Sequence, residues 1–277
     1  QKLADFHQRL GKMKFLDPAC GCGNFLVITY RELRLLELEV LRSLYKKGDQ
    51  VQGVLDLREI IFLNVNMMYG IEYEEFPARI AEVAMWLIDH QMNQIIGLEF
   101  GQNIPLIPLK TSANIVHGNA LTTDWENVVP KTKLSYILGN PPFIGSKIMN
   151  AAQRAEVVKE YGNIPGSGVL DYVTAWYAKA ARYIQETGIE VGFVSTNSIV
   201  QGEQTAVMWN ELLTKYHIKI NFTHRTFKWS NEAKGNAAVY CVILGFSTKD
   251  RKEKKIFEYE DIKGEPHEIR AKNISPY

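Results

Sequence analysis

A chain of 277 residues that is 46% apolar and 23% charged is long enough to bury the core of one large α/β domain with appendages. No apolar stretch approaches the ~20 residues needed to span a bilayer, so a soluble protein with no membrane partner is expected. Three cysteines (Cys20, Cys22, Cys241) cannot make a disulfide framework, which points to a reducing, cytoplasmic compartment. The net charge of +1 provides no general excess for gripping phosphate. Basic residues do gather at His224, Arg225, Lys228 and Lys234, whereas the run from Lys249 to Lys255 mixes both signs and reads as a solvated turn.

Lys14-Phe15-Leu16 reads as a short strand ending at Asp17, and a Gly/Cys-rich turn leads from it into helical periodicity from Asn24 to Tyr45. Helical spacing from Val54 to Leu63 precedes Met67 to Ile71, a strand ending at Glu72. A long amphipathic helix then runs from Pro77, a residue suited to a first turn, to about Asn93. Asn114 to His117 forms a third strand, and Leu134 to Leu138 a fourth that runs straight into Gly139-Asn140-Pro141-Pro142-Phe143. Next come a helix over 171–186, a strand from Ile189 to Ser195 and a helix from Gln204 to Tyr216. Ile218 to Thr223 and Ala237 to Phe246 are the two closing strands.

Strands alternating with helices predict an α/β, doubly wound, mostly parallel seven-stranded sheet. An antiparallel C-terminal hairpin closes it, because no helix separates the last two strands. Ligands bind such sheets at the strand carboxyl ends near the point where strand order reverses, so Asp17, Glu72 and Asn140 are expected to converge.

In Asp17-Pro18-Ala19-Cys20-Gly21-Cys22-Gly23-Asn24-Phe25, small residues and two glycines let the backbone approach a ligand closely at a helix N-terminus. A dinucleotide-binding loop is the competing reading. Its third glycine is absent, however, and Glu72 lies far beyond the roughly 20 positions at which that loop's partner acid is found. The two carboxylate oxygens of Glu72 suit both hydroxyls of a ribose. Cys20 and Cys22 stand too close together, with too few companions, for a zinc site, so no metal is expected.

Asn140-Pro141-Pro142-Phe143 is the sharpest signal. Neither proline has an N–H, so the loop is stiff and presents the Pro141 carbonyl and the Asn140 side-chain oxygen as paired acceptors. Two acceptors suit an amine with two hydrogens. The exocyclic amine of adenine is a poor nucleophile because its lone pair is delocalised into the ring. Hydrogen bonds from both N–H groups favour a pyramidal nitrogen, and methyl transfer from a sulfonium then needs chiefly in-line positioning. Phe143 is suited to stack on a base that has left the duplex.

Together these residues resemble the class I S-adenosylmethionine-dependent methyltransferases, and within them the DNA amino-methyltransferases with an Asp/Asn-Pro-Pro-Phe/Tyr loop. Four segments are similar to the methyltransferase region of the fused type IIL restriction-modification enzymes: Gly70-Ile71-Glu72, Phe76-Pro77-Ala78-Arg79-Ile80-Ala81, Asn140-Pro141-Pro142-Phe143-Ile144-Gly145 and Asn231-Glu232-Ala233-Lys234-Gly235-Asn236-Ala237. The resemblance covers nearly the whole chain, residues 1–277. It implies a Rossmann-like catalytic domain, S-adenosyl-L-methionine as cofactor and double-stranded DNA as partner. The implied reaction is methyl transfer to the N6 amine of adenine within a restriction-modification or related defence system.

By the same resemblance, Asp17, Gly21, Gly23 and Phe25, with Ala19 and Asn24 in the same loop, surround the methionine part of the cofactor. Glu72 holds the ribose, and Asn140 to Phe143 hold the target amine. Asn119 stands near the end of the third strand, where the family usually has an Asp that accepts from the cofactor's adenine, and an Asn side chain still accepts there. Phe227 or Trp229, in the loop before the last strand, contributes the second aromatic face against the flipped base. Relatives also carry a cofactor motif upstream of the first strand, a target-recognition domain and, in the fused enzymes, an endonuclease. The chain starts at Gln1 without an initiator Met or an apolar leader, and it is expected to be the excised catalytic part of such a protein. Two alternatives stay open: methylation of a protein glutamine amide, which is the same planar NH2 group, and a non-catalytic DNA-binding module of the same fold.

Overall fold

Leu26, Tyr30, Leu38 and Leu41 recur on one stripe of a 22-residue helix, and all are buried. Ala78, Ala81, Met85, Ile88, Met92 and Ile96 repeat the pattern on a second long helix. These two helices frame the N-terminal part of the chain. The computed structural model describes residues 1–47, 50–51, 56–102, 113–229, 239–261 and 264–276. It divides into two compact units, residues 1–120 with 127–134, and residues 121–126 with 135–277.

The first unit runs α1 (Lys2–Leu10), β1 (Phe15–Asp17), α2 (Asn24–Tyr45), a small ribbon of β2 (Lys46–Lys47) and β3 (Gln50–Val51), and the single turn α3 (Leu57–Ile60). It continues with β4 (Met68–Glu72), α4 (Glu75–Glu99) and β5 (Asn114–His117). The strands β1, β4 and β5 are parallel, with β4 in the middle. Helix α1 is not predicted by the patterning, and the helix expected over Val54 to Leu63 shrinks to α3, with residues 52–55 outside the described set. Leu38, Leu41, Leu57, Ile60, Ile96 and Phe100 close into one apolar cluster.

Beside that cluster lies a charged core. Arg34, 1% exposed, donates to the Tyr30 hydroxyl, Asp89, Asn93 and the Leu63 carbonyl. Fully buried Glu37 accepts from His7 of α1 and from the Phe62 and Leu63 N–H groups. Arg34 Nε and Glu37 Oε2 face each other at 3.2 Å without hydrogen-bond alignment, so charge alone holds that contact. Buried ions persist only when compensated, and the compensation here ties α1, α2 and α4 to one another.

A one-turn helix, α5 (Trp125–Val128), precedes β6 (Tyr136–Gly139). The second unit continues with α6 (Ala151–Tyr161), α7 (Thr174–Tyr183), β7 (Glu190–Thr196), α8 (Glu203–Thr214), β8 (Lys219–Trp229), β9 (Val239–Ser247), β10 (Lys254–Tyr259) and β11 (Pro266–Ala271). Its strand order is β11-β10-β8-β9-β7-β6. The pairs β6–β7 and β8–β10 are parallel, while β7–β9, β8–β9 and β10–β11 are antiparallel. It follows that β6, β7, β8 and β10 all point the same way and share one carboxyl edge.

The predicted closing hairpin is present as β8 and β9, but two more strands follow it. Among the described residues, three sheet strands in the first unit and six in the second stand where seven are expected. The run expected as a solvated turn is one only as far as Glu253, since Lys254 is buried, pairs with Asp250 and opens β10. Helix α6 is also unpredicted, and a reciprocal Asn150/Gln153 capping box starts it. Tyr177, Phe193, Trp209 and Phe246 pack as an aromatic core, with the Tyr177 hydroxyl shared with Ser195 at 2.8 Å. Among the described residues no helix is long and apolar enough to cross a membrane.

Candidate active site

At the carboxyl end of β1 the chain turns sharply into α2. Asp17, 1% exposed, accepts from the Ala19 N–H at 3.0 Å. Burial pushes its carboxyl up to about 7; the Glu72 charge adds to this and the Ala19 hydrogen bond opposes it. Gly21 (φ +54°) and Gly23 (φ +86°) take left-handed conformations that favour glycine. A Cβ on Gly23 would lie 3.1 Å from that of Ala81, so the turn packs tightly on α4, whereas one on Gly21 would meet nothing within 4 Å. Gly21 therefore shows bare backbone to open space. A Cβ on Gly70 would lie 2.8 Å from Cys20 Sγ, so β4 needs glycine there for the turn to lie against it.

Glu72, at the end of β4, binds this turn directly. Its Oε2 accepts from the Gly21 N–H at 2.8 Å and its Oε1 from the Glu74 N–H at 2.9 Å. An ionised carboxylate offers about four lone-pair directions, so each oxygen keeps one for a ligand. The Glu72 carbonyl accepts from the Gly118 N–H at 2.8 Å, and Glu72 pairs in register with His117. Asn119, half-buried, comes two residues later. Asn24 is exposed and Phe25 half-buried where α2 begins. The Asp17–Ala19 and Gly21–Glu72 bonds thus shape a cradle at the carboxyl ends of the neighbouring strands β1 and β4, which brings together two of the three strand-end residues expected to converge.

In the second unit Asn140 follows β6. Its Oδ1 is buried and accepts no hydrogen bond from the described residues. Such an acceptor costs about 1–3 kcal/mol, which makes it a position prepared for a donor from outside the fold. Pro141 is buried, and Pro142 and Phe143 are half-buried. Further along the loop, the Tyr172 N–H donates to the Ile144 carbonyl at 2.9 Å. The Ser146 N–H donates to Asp171 Oδ1 at 2.7 Å, and Arg154 donates to the Ser146 carbonyl at 2.5 Å. Asp171 also accepts from Ser198 Oγ and Gln204 Nε2 at 2.8 and 2.6 Å. Sequence reasoning misses Asp171, Ser146, Ser198 and Gln204, because an Asp just before a helix reads as an ordinary helix start.

Phe227 and Trp229 do not lie in a loop. Strand β8 continues through them, because β9 supplies ladder partners beyond an irregularity between His224 and Phe227: Phe227 pairs with Cys241 and Trp229 with Val239. Both stand at the carboxyl end of β8, on the edge that carries Asn140 and Ser198. The Phe227 ring lies 5.6 Å from that of Tyr259. The expected basic cluster is weaker than its composition suggests. His224 is hydrogen-bonded to the Tyr259 hydroxyl and stacked on Phe257, and burial lowers its pKa from 6.5. Arg225 pairs with Glu258. Lys234 and the Asn231 to Ala237 segment lie outside the described residues.

Over residues 1–258 the sequence matches the family described as MmeI, DNA-methyltransferase domain. The chain belongs to this family. DNA methyltransferase A of Bacillus subtilis (strain 168) is 39% identical over 279 residues, which cover 100% of this chain and 30% of that protein. The type IIL restriction-modification enzyme MmeI, solved in complex with DNA, superposes with a TM-score of 0.94 at 56% identity, over 99% of this chain and 36% of that one. A nuclease-deletion mutant of the type ISP restriction-modification enzyme LlaGI, solved with a DNA substrate mimic, shares the fold at a TM-score of 0.55 and 16% identity, over 90% of this chain and 21% of that one. The α/β methyltransferase fold expected from the sequence is the fold of this chain. It spans about a third of the length of the first two relatives.

Proposed function

We propose that this MmeI-type domain transfers a methyl group from S-adenosyl-L-methionine to the exocyclic N6 amine of adenine in double-stranded DNA. It does so as the catalytic part of a longer restriction-modification protein that also carries target-recognition and endonuclease segments. The observation that carries the reading is the buried, unpartnered Oδ1 of Asn140 next to the Pro141 carbonyl in a stiff loop. Family membership, together with relatives named as restriction-modification enzymes and solved with DNA, favours DNA over a glutamine amide as substrate.

The first unit's residues fit the cofactor. Asp17 is a buried carboxyl whose ionised form an opposing positive charge favours, Gly21 leaves space against its backbone, and Glu72 has lone pairs for two ribose hydroxyls. Ala19, Gly23, Asn24 and Phe25 wall the same turn, and Asn119 accepts from the adenine moiety. When bound, the cofactor supplies an electrophilic methyl group on a sulfonium sulfur. Asn140 Oδ1 and the Pro141 carbonyl accept from the two amine hydrogens and hold the nitrogen lone pair free of the ring. Pro142 keeps the loop stiff, Phe143 stacks on the base, and Phe227 or Trp229 covers its other face.

The test is methyl transfer by the full-length protein to DNA, with the products resolved as N6-methyladenine or N4-methylcytosine. Asn140→Ala is expected to lower turnover by at least about 100-fold, the loss typical of a missing transition-state hydrogen bond. Cofactor affinity is expected to stay within about twofold, because the residues proposed to hold the cofactor are those of the first unit and are unchanged. Unaltered turnover in that variant refutes the acceptor mechanism.

A further inference from the structure

We infer that Asp171 is a positioning residue for methyl transfer: it fixes the loop from Asn140 to Ser146 in the register that presents the Asn140 acceptor. The inference rests on the function proposed above. A carboxylate accepts hydrogen bonds and donates none, and here both oxygens are engaged by donors from three separate segments. Oδ1 takes the Ser146 N–H from the loop after β6. Oδ2 takes the Ser198 hydroxyl, from the turn after β7, and the Gln204 amide, from the first turn of α8. Ser198 Oγ in turn meets Thr196 Oγ1 at 2.8 Å, so the last residue of β7 joins the group.

The ordinary reading of an Asp three residues ahead of a helix is a cap. The geometry speaks against it. The N-cap residue of α7 is Val173, with no side-chain cap bond, and both Asp171 oxygens are spent on the loops instead. Only the Asp171 carbonyl serves the helix, accepting from the Thr174 N–H and hydroxyl. Gln204 answers reciprocally: its Oε1 accepts from the Asp171 N–H at 2.9 Å while its Nε2 donates back. This two-bond ring sets the direction in which the Asp171 carboxylate points.

The loop needs such an anchor at its far end. Pro141 and Pro142 stiffen its start, but Gly145 breaks that stiffness just before Ser146. Beyond it, the Ile148 N–H closes a turn onto the Gly145 carbonyl at 3.0 Å. The Tyr172 N–H and Arg154 hold backbone carbonyls in the same stretch, and Asp171 supplies its charge-assisted bond. Loosening that end lets the Asn140 and Pro141 oxygens drift, and a misplacement of about 1 Å costs a reaction on the order of 100-fold in rate.

Asp171→Ala and Asp171→Asn in the full-length protein test this, with two independent readouts. Asp171→Ala is expected to lower kcat for DNA methylation about 100-fold with the dissociation constant for S-adenosylmethionine unchanged, and Asp171→Asn, which keeps an acceptor for Ser146, about 10-fold. Hydrogen exchange of the peptide over 143–149 is expected to quicken in Asp171→Ala and to stay near wild type in Asp171→Asn. Wild-type kcat in a folded Asp171→Ala protein overturns the inference. So does a parallel fall in kcat, cofactor affinity and thermal stability, which marks a merely structural role. If the wild-type protein itself fails to methylate DNA, the proposed function fails, while unchanged exchange over 143–149 still overturns the anchor on its own. Should Asp171→Ala not fold, wild-type kcat and exchange in both Asp171→Asn and Ser146→Pro, which removes the donor, overturn the inference equally.

Discussion

Replacing Asp17 by Asn is expected to stabilise the ligand-free protein at alkaline pH while abolishing the S-adenosylmethionine binding proposed above. The carboxyl is 1% exposed and is pushed up from 3.8 to about 7, chiefly by burial. Between those values the folded chain holds a proton that the unfolded chain has released. Stability from this group is therefore fully present below 3.8 and is lost as pH rises through about 7. At about 1.4 kcal/mol per pKa unit, ionised Asp17 costs up to about 4 kcal/mol at pH 8. Asn keeps an oxygen for the Ala19 N–H and carries no charge, so the variant escapes that cost. In urea unfolding, the advantage of the variant should grow by about 3 kcal/mol between pH 5 and pH 8, since groups common to both proteins cancel in the difference. Saturating S-adenosylmethionine should reverse the ranking by stabilising only the wild type. A variant less stable than wild type at pH 8 refutes the reasoning, because it means that the fold supplies the ionised carboxylate with more than the one N–H donor counted.

Two further substitutions test the packing that supports the site. Arg34→Met leaves Glu37 and Asp89 buried without their cation and is expected to cost about 3–5 kcal/mol, read as a lowered denaturation midpoint at pH 7. Gly245→Ala places a Cβ 1.9 Å from the Phe222 ring and is expected to destabilise by about 3 kcal/mol or more, with Phe222→Leu recovering part of the loss in the double variant. Calorimetric melting of the four proteins in that cycle checks it, and strict additivity contradicts the contact.

Legibility in the sequence follows the apolar period. Helix α2 is readable from Asn24 to Tyr45 by its apolar stripe, and β1, β4 and β5 end where the patterning puts them, because each carries a short apolar run closed by a polar residue, Asp17, Glu72 or His117. Helix α1 is not readable: its only buried side chains are His7 and Leu10, and it is held by the His7–Glu37 contact across thirty positions. The end of β8, His224 to Trp229, reads as a polar loop until β9 supplies its partners. Asp171 is invisible for a related reason, since its side-chain partners lie 25, 27 and 33 positions away and no local motif records them.

The sharper distinction lies between buried polar groups that the fold compensates and those that it leaves alone. Arg34 and Glu37 are as deeply buried as Asp17, yet each is ringed by partners, and their unaligned Nε and Oε2 atoms still face each other as an ion pair. Glu160 Oε2, likewise without an aligned hydrogen bond, lies 2.7 Å from Arg182. That leaves Asn140 Oδ1 and the Thr205 hydroxyl among the described buried side-chain atoms without a partner, and of the two only Asn140 follows directly on a strand's carboxyl end. Asp17 is the corresponding case in the first unit, a buried carboxyl with one backbone donor and a neighbouring negative charge. Folding alone selects against both arrangements, because buried polar groups are ordinarily satisfied. On the proposed function, a nucleobase amine brings hydrogen-bond donors to Asn140 and a sulfonium cofactor brings positive charge to Asp17, and each removes the cost at its own position.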